Sequence, residues 1–376
     1  MKVLIAGDFC PRDRVAEKFE LCEYDSVLGD VKDVISGADY SIVNFECPVT
    51  KGGEKPIIKQ GPNLQCSEKG LEAVKWAGFD CVTLANNHFF DYGKDGVENT
   101  LRACEKYDID TVGGGMNLQE ASKILYKDVA GKTLAIINCC EHEFSIATNE
   151  TAGSNPLNPI QQYYAIQEAK SMADYVLVIV HGGHELWQLP SPRMQETYRF
   201  FVDAGADAVV NHHQHCYSGY EIYDGKPIFY GLGNFCFDKQ NYFEGLWEYG
   251  YILTIHFADG ISFKMIPYEQ CKSEPQIKIL NKSSSFLLRL KELNAVIADE
   301  SYLNEETNKY YEQAIKKVQL ALEPYRGRIL SSLYLKGYLP SLLSPQKITK
   351  MCNMILCEAH CDKLMYFLRK NYDKNS

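Results

Sequence analysis

The chain has 376 residues, of which 45% are hydrophobic and 23% charged, and a formal net charge of -10. That length and composition fit one large globular α/β domain with a smaller appendage, not a disordered or fibrous chain. A net negative chain without a Lys/Arg-rich run is a poor match for a phosphate backbone, which excludes nucleic acid as a main partner.

Residues 1–8 hold only a brief apolar stretch that runs into an acidic loop, too short for a signal h-region or a membrane span. With no such segment, the 14 cysteines read as reduced thiols, and the expected location is cytoplasmic. Strand-like runs then recur at residues 3–6, 41–43, 81–84, 134–137, 175–180, 208–210, 227–230 and 251–256, with amphipathic helical segments between, among them 68–76 and 194–204. This is the βαβ rhythm of a layered α/β domain, placed over residues 1–270. Gly37, Gly78 and Gly205 each precede a strand where the foregoing helix needs a left-handed cap.

Beyond about residue 271 the strand signal fades. Residues 286–298, 305–322 and 348–371 carry helical spacing with Lys and Glu interspersed, so 271–376 is expected to be an α-helical region able to dock a protein partner.

The chemistry concentrates where strands end. Six of the nine histidines fall in Asn86-Asn87-His88, His181-Gly182-Gly183-His184-Glu185 and Asn211-His212-His213-Gln214-His215, each directly after an apolar strand-like run. Imidazoles at strand carboxyl ends converge in one crevice. Gly7-Asp8 and Asn44-Phe45-Glu46 deliver carboxylates to the same edge. Carboxylate, amide and imidazole donors together suit one or two divalent ions, manganese, iron or zinc. In an extended segment His213 and His215 point the same way and His212 the opposite way. Asn87 can offer its amide oxygen, His88 is placed to act as acid or base, and Asp91 can orient it. His184 and Glu185 line the same pocket, and Trp187, Tyr217, Tyr220, Tyr242, Trp247 and Tyr249 lie in or near these loops.

In order along residues 1–268, Gly7-Asp8, Asn44-Phe45-Glu46, Ala85-Asn86-Asn87-His88 with Asp91-Tyr92-Gly93, His181-x-Gly183-x-Glu185, His213-x-His215 and Tyr230-Gly-Leu-Gly-Asn234-Phe235 resemble the CapA family of poly-γ-glutamate capsule-synthesis proteins. The resemblance implies a metallophosphoesterase-like four-layer αββα sandwich. It also implies a residue map: Asp8 and His215 on a first ion, Glu46 bridging, Asn87, His181 and His213 on a second, and His88 protonating a leaving oxygen. Asn44, His184, Glu185 and Asn234 are expected to contact substrate. The sequence departs from the superfamily's D-x-H opening, since Cys10 stands at the third position of Asp8-Phe9-Cys10.

The function implied is a metal-dependent hydrolase of phosphoesterase type in capsule or cell-surface polymer metabolism, acting on a phosphorylated or polyglutamate-related substrate. Two alternatives stand beside it: amide or γ-glutamyl chemistry at the same metal site, and a noncatalytic substrate-binding component of a polymer-synthesis complex.

Overall fold

The computed structural model describes residues 1–239, 245–280 and 284–372. It divides into two compact units, Met1–Leu303 and Asn304–Ser376. A short strand, Ile277–Ile279, and the helix Ser284–Ala298 follow residue 270 within the first unit. Tyr242 lies outside the described residues.

The first unit is built on two sheets. One runs, edge to edge, through Ile277–Ile279, Ser262–Gln270, Tyr249–His256, Lys2–Phe9, Tyr40–Phe45, Cys81–Thr83 and Asp110–Val112, with Asn234–Cys236 alongside the end of Lys2–Phe9. The other runs through Tyr220–Tyr223, Lys226–Phe229, Ala208–His212, Tyr175–His181, Lys132–Cys140 and Leu125–Val129. The central pairings of both sheets are parallel. Strands in such sheets are buried on both faces, which is why these runs are apolar without alternation.

Side-chain alternation sorts the layers. Along Lys2–Phe9, Val3 and Ile5 pack with Leu134, Ile136 and Val178 of the second sheet. Leu4 and Ala6 pack with Val15, Val31, Leu71 and Val97 of the helices Asp13–Glu20, Tyr24–Ser36, Lys69–Ala77 and Gly93–Lys106. The second sheet carries the helices Pro159–Met172 and Pro192–Asp203, through Ile166, Met194, Tyr198 and Phe201. The architecture is the expected four-layer αββα sandwich.

Two of the three glycine caps are left-handed, Gly78 at φ 95° and Gly205 at φ 120°. Gly37 is not: at φ -80° it closes its helix with an ordinary amide bond to the Asp33 carbonyl.

The second unit is helical, with Gly327–Leu335, Pro345–Leu356 and Glu358–Tyr372 following the long helix Glu300–Leu322 that leads into it. The single helix expected over 348–371 is interrupted at Cys357, whose ψ of 116° leaves the helical region. Among the described residues, no helix is long and apolar enough to cross a membrane.

Candidate metal centre

The parallel strands of both sheets end at one crevice. Asp8 comes from Lys2–Phe9, Glu46 directly follows Tyr40–Phe45, and Asn87 and His88 follow Cys81–Thr83. From the facing sheet come His181, at the end of Tyr175–His181, and His212, His213 and His215 at and after the end of Ala208–His212. All of them are buried.

Asp8 reaches this crevice through a backbone irregularity. Pleating alone would put an even-numbered residue of its strand on the helix-facing side with Leu4 and Ala6. The pairing with Tyr40–Phe45 slips between Ala6 and Asp8, so two residues on one strand oppose a single step on the other. Phe9 then faces the helical layer and Asp8 the second sheet, which is how a β-bulge re-aims a side chain. Gly7 makes the slip possible, since a Cβ there would lie 1.8 Å from the Gly233 carbonyl oxygen.

Two groups of ligand-type atoms share one residue. Asp8, Glu46 and His215 form one group and Glu46, His181 and His213 the other, the atoms of each lying within 4.8 Å of one another. His181 Nε2 sits 3.0 Å from Asn87 Oδ1, 3.1 Å from His213 Nδ1 and 3.5 Å from Glu46 Oε1. Atoms of ligand type thus crowd one point, with Asn44 Nδ2 lying 3.3 Å from the other His181 ring nitrogen, Nδ1. Both Glu46 carboxylate oxygens are buried without a hydrogen-bond partner, a costly arrangement for an anion that a divalent ion would relieve. On that chemistry the residues fit a divalent metal.

Asn234 fixes the state of His215. Its Nδ2 donates to the His215 and Trp247 carbonyls, at 3.2 and 3.3 Å, so its Oδ1 is the atom facing His215 Nδ1 at 2.9 Å. His215 Nδ1 therefore carries the proton, and Nε2, 3.7 Å from Glu46 Oε1, offers its lone pair to the crevice. Asn44, fully buried, donates to Asp8 Oδ1 at 2.8 Å and accepts from Thr83. Asn44 and Asn234 thus each hold a candidate ligand in place.

His213 and His215 do converge, with ring centroids 6.1 Å apart, but not because the segment is extended. Both have left-handed backbones, at φ 89° and 54°, a costly conformation for non-glycine residues that clusters at functional sites. His212 is still in the strand, in register with His181, and so shares its face instead of pointing away. Its Nδ1 is 3.4 Å from Asp8 Oδ1.

Charge follows geometry. Burial pushes Glu46 well above the usual carboxylate range, reinforced by nearby Asp8. Burial would raise Asp8 too, but His212 and His215 hold it well below its ordinary value. Burial, with His213 close by, drives His181 far down, and burial with His215 lowers His213, which keeps both imidazoles neutral. Burial also works against a charged His215, but Asp8 overcomes it and raises that group.

His88 Nδ1 lies 2.6 Å from Asp91 Oδ2, and Asp91 also accepts the Leu64 amide and closes a turn back to the His88 carbonyl. Asp91 is thus both orienter and turn residue. Two partners escape the sequence reading. Lys59, its side chain almost fully buried, is ion-paired to Asp91 and lies 3.1 Å from His88 Nδ1. Glu143 accepts the Asn87 Nδ2 proton at 2.9 Å, which turns Asn87 Oδ1 toward His181. A cleft of about 540 Å³ lined by Lys59, Gln60, His88, Glu143, Phe144 and Glu185 opens beside them. His184 is half-buried at the same edge. Cys10 packs in the helix-side core and belongs to neither ligand group. Of the aromatic residues, Trp247 packs against His215 with the rings tilted, 4.7 Å between centroids, and Tyr217 packs in the core on Phe286.

The family model described as bacterial capsule synthesis protein PGA_cap matches residues 2–239. Similar proteins include the capsule biosynthesis protein CapA of Bacillus anthracis, 36% identical over 247 residues that make up 64% of this chain and 60% of that one. The PGA biosynthesis protein CapA of Bacillus subtilis is 36% identical over 218 residues, 57% of each chain. The chain therefore spans less than two thirds of the length of the curated relatives it matches. Similar solved structures include a novel phosphatase from Mycoplasma pneumoniae, with 16% identity, a TM-score of 0.42 and coverage of 71% of this chain and 92% of that one. A 5'-nucleotidase precursor from Thermus thermophilus has 10% identity, a TM-score of 0.44 and coverage of 84% and 59%.

Proposed function

The chain belongs to the bacterial capsule synthesis protein family PGA_cap, and from that premise we propose that it is a metal-dependent hydrolase of phosphoesterase type serving capsule or related polymer metabolism. The observation that carries this reading is the pair of ligand groups joined at Glu46. Asp8 and His215 would hold one ion, Asn87, His181 and His213 a second, and Glu46 both, with manganese, iron or zinc suited to the donor set. When bound, such ions acidify water and neutralise charge developing on a phosphoryl oxygen.

The remaining work falls to the chain's own side chains. His88, its Nδ1 engaged by Asp91, has Nε2 left to face the departing oxygen, to which its imidazolium form would give a proton. Glu143 and Asn234 fix the orientations of Asn87 and His215. The cleft beside His88, lined by Lys59, Gln60, Asn87, Glu143 and Glu185, would admit the substrate.

The test is metal content and turnover together. The purified protein loaded with each ion in turn is assayed on bis(p-nitrophenyl) phosphate and on a γ-linked glutamate oligomer, beside Glu46→Gln and His88→Asn. Phosphodiester cleavage lost in both variants supports the proposal. Cleavage of the oligomer alone transfers the same site to amide chemistry. Stoichiometric metal with no turnover on either substrate leaves a binding component.

A further inference from the structure

The second compact unit differs from the first in charge. Residues 1–303 hold 27 Lys and Arg against 42 Asp and Glu, whereas residues 304–376 hold 12 against 7. The contrast sharpens over residues 324–357, where Arg326, Arg328, Lys336, Lys347 and Lys350 occur and no acidic residue does. Among the described residues these five make no salt bridge, although Lys347 lies near enough to Glu323 to favour its carboxylate.

The same stretch exposes apolar side chains. Ile329 is 76% exposed, Tyr338 75% and Leu356 76%. On the helix Pro345–Leu356, Ile348, Cys352, Ile355 and Leu356 are all exposed, and their spacings of four, three and one put them on one face. No residue of that helix is buried. A helix with no buried residue has not spent its apolar face on this chain's own core, and isolated helices of this length are marginal in water.

We propose that residues 324–357 form a peripheral docking surface for an anionic lipid bilayer, the apolar stripe entering the headgroup boundary and the Lys and Arg of the same stretch reaching lipid phosphates. Exposed Ile, Leu and Tyr interleaved with basic residues that make no salt bridge, with no acidic residue inside the stretch, is the composition an interfacial helix requires. A purely anionic polymer would use the charges and leave the apolar stripe in water. An acidic protein groove is the other occupant that such a surface could serve, and the experiment separates it. The proposal does not depend on the chemistry of the metal centre.

Full-length protein is floated with phosphatidylcholine vesicles and with vesicles carrying about 30 mol % phosphatidylglycerol. Partitioning is expected to be at least about tenfold stronger on the anionic vesicles, to fall in roughly 0.5 M NaCl, and to drop about tenfold or more in Lys347→Glu/Lys350→Glu. Ile355→Ser/Leu356→Ser should weaken it at unchanged charge. Circular dichroism and melting confirm that the variants keep their fold; if either does not, the wild-type contrast between vesicles and its salt dependence decide alone. Equal partitioning on both vesicle types, none on either, or a concentration-dependent dimer that Ile355→Ser/Leu356→Ser abolishes would each overturn the proposal. So would binding to soluble polyglutamate without binding to vesicles.

Discussion

Amide orientation is the smallest device on which the metal centre depends. Asn87 can present either its oxygen or its nitrogen to His181, and Glu143, accepting from Nδ2, settles the choice. Glu143→Ala should therefore lower affinity for the second ion about tenfold or more, the usual cost of losing a partner that orients a ligand. Glu143→Gln keeps an acceptor oxygen and should recover most of that loss. Calorimetric metal titration of the three proteins measures it, and equal affinities would show that Asn87 needs no orienter. Gly7 is the second residue with one solution. Its missing Cβ leaves room for the Gly233 carbonyl, so Gly7→Ala must displace backbone at the bulge and should cost roughly 1–3 kcal/mol or more in urea unfolding. The residues that sequence reading reaches share a trait: Asp8, Glu46, Asn87, His181, His213 and His215 stand right after apolar runs, and histidine is rare enough for three clusters to be conspicuous. Lys59 and Glu143 belong to irregular loops, where a Lys or Glu is the commonest of surface residues. Nothing local distinguishes them. The side of the sheet on which Asp8 emerges depends on a bulge, and the convergence of His213 with His215 on two left-handed backbones, both set by tertiary contacts that spacing does not encode.

At the scale of elements, strand ends decide function and helix ends decide where the chain can turn. The strands were legible because both faces are buried and the sequence shows it directly. The C-terminal helices were harder: periodicity carries through Cys357 without a break, and only the cap geometry reveals two helices there. In the same unit Glu323, just past Glu300–Leu322, accepts the Leu342 amide at 3.0 Å and the Ser341 hydroxyl, tying the end of one helix to the loop before the next. Burial would raise this carboxyl, but Ser341 and the Leu342 amide outweigh it and hold the group below its ordinary value. A carboxyl whose folded value is depressed contributes stability that is complete above its unfolded value of about 4.3. That contribution is lost as pH falls through the lower folded value. Helicity of the second unit should thus weaken below about pH 4.3, and Glu323→Gln should loosen it already at neutral pH while flattening the acid response. Hydrogen exchange over residues 323–343 at about pH 7 and about pH 4 reads both effects, and an acid response unchanged by the substitution would assign it to other groups.

For the whole molecule, the metal centre is where two sheets meet, so its ligands matter to folding as well as to chemistry. Asp8, Glu46 and Asn87 come from one sheet, and His181, His213 and His215 follow strands of the other. Without a cation the seam holds a buried carboxyl group with both oxygens unpartnered, which burial drives toward its neutral form, facing imidazoles that burial keeps neutral. A ligand that binds only the folded state stabilises it by about 2.7 kcal/mol when present at roughly a hundred times its dissociation constant. Manganese, iron or zinc at that level should therefore raise the melting temperature of the first unit and leave the second unit, which contributes none of these residues, unchanged. Glu46→Gln separates the two states. Burial already drives Glu46 toward its neutral form, so the amide should leave the metal-free protein close to its original stability, while removing the shared ligand should erase most of the metal-dependent shift. Calorimetric melting of both proteins with and without metal measures all four values. If Glu46→Gln destabilised the metal-free protein while keeping the metal shift, Glu46 would be a structural carboxylate with an unseen partner, and the centre would have to be rebuilt around Asp8 and the histidines alone.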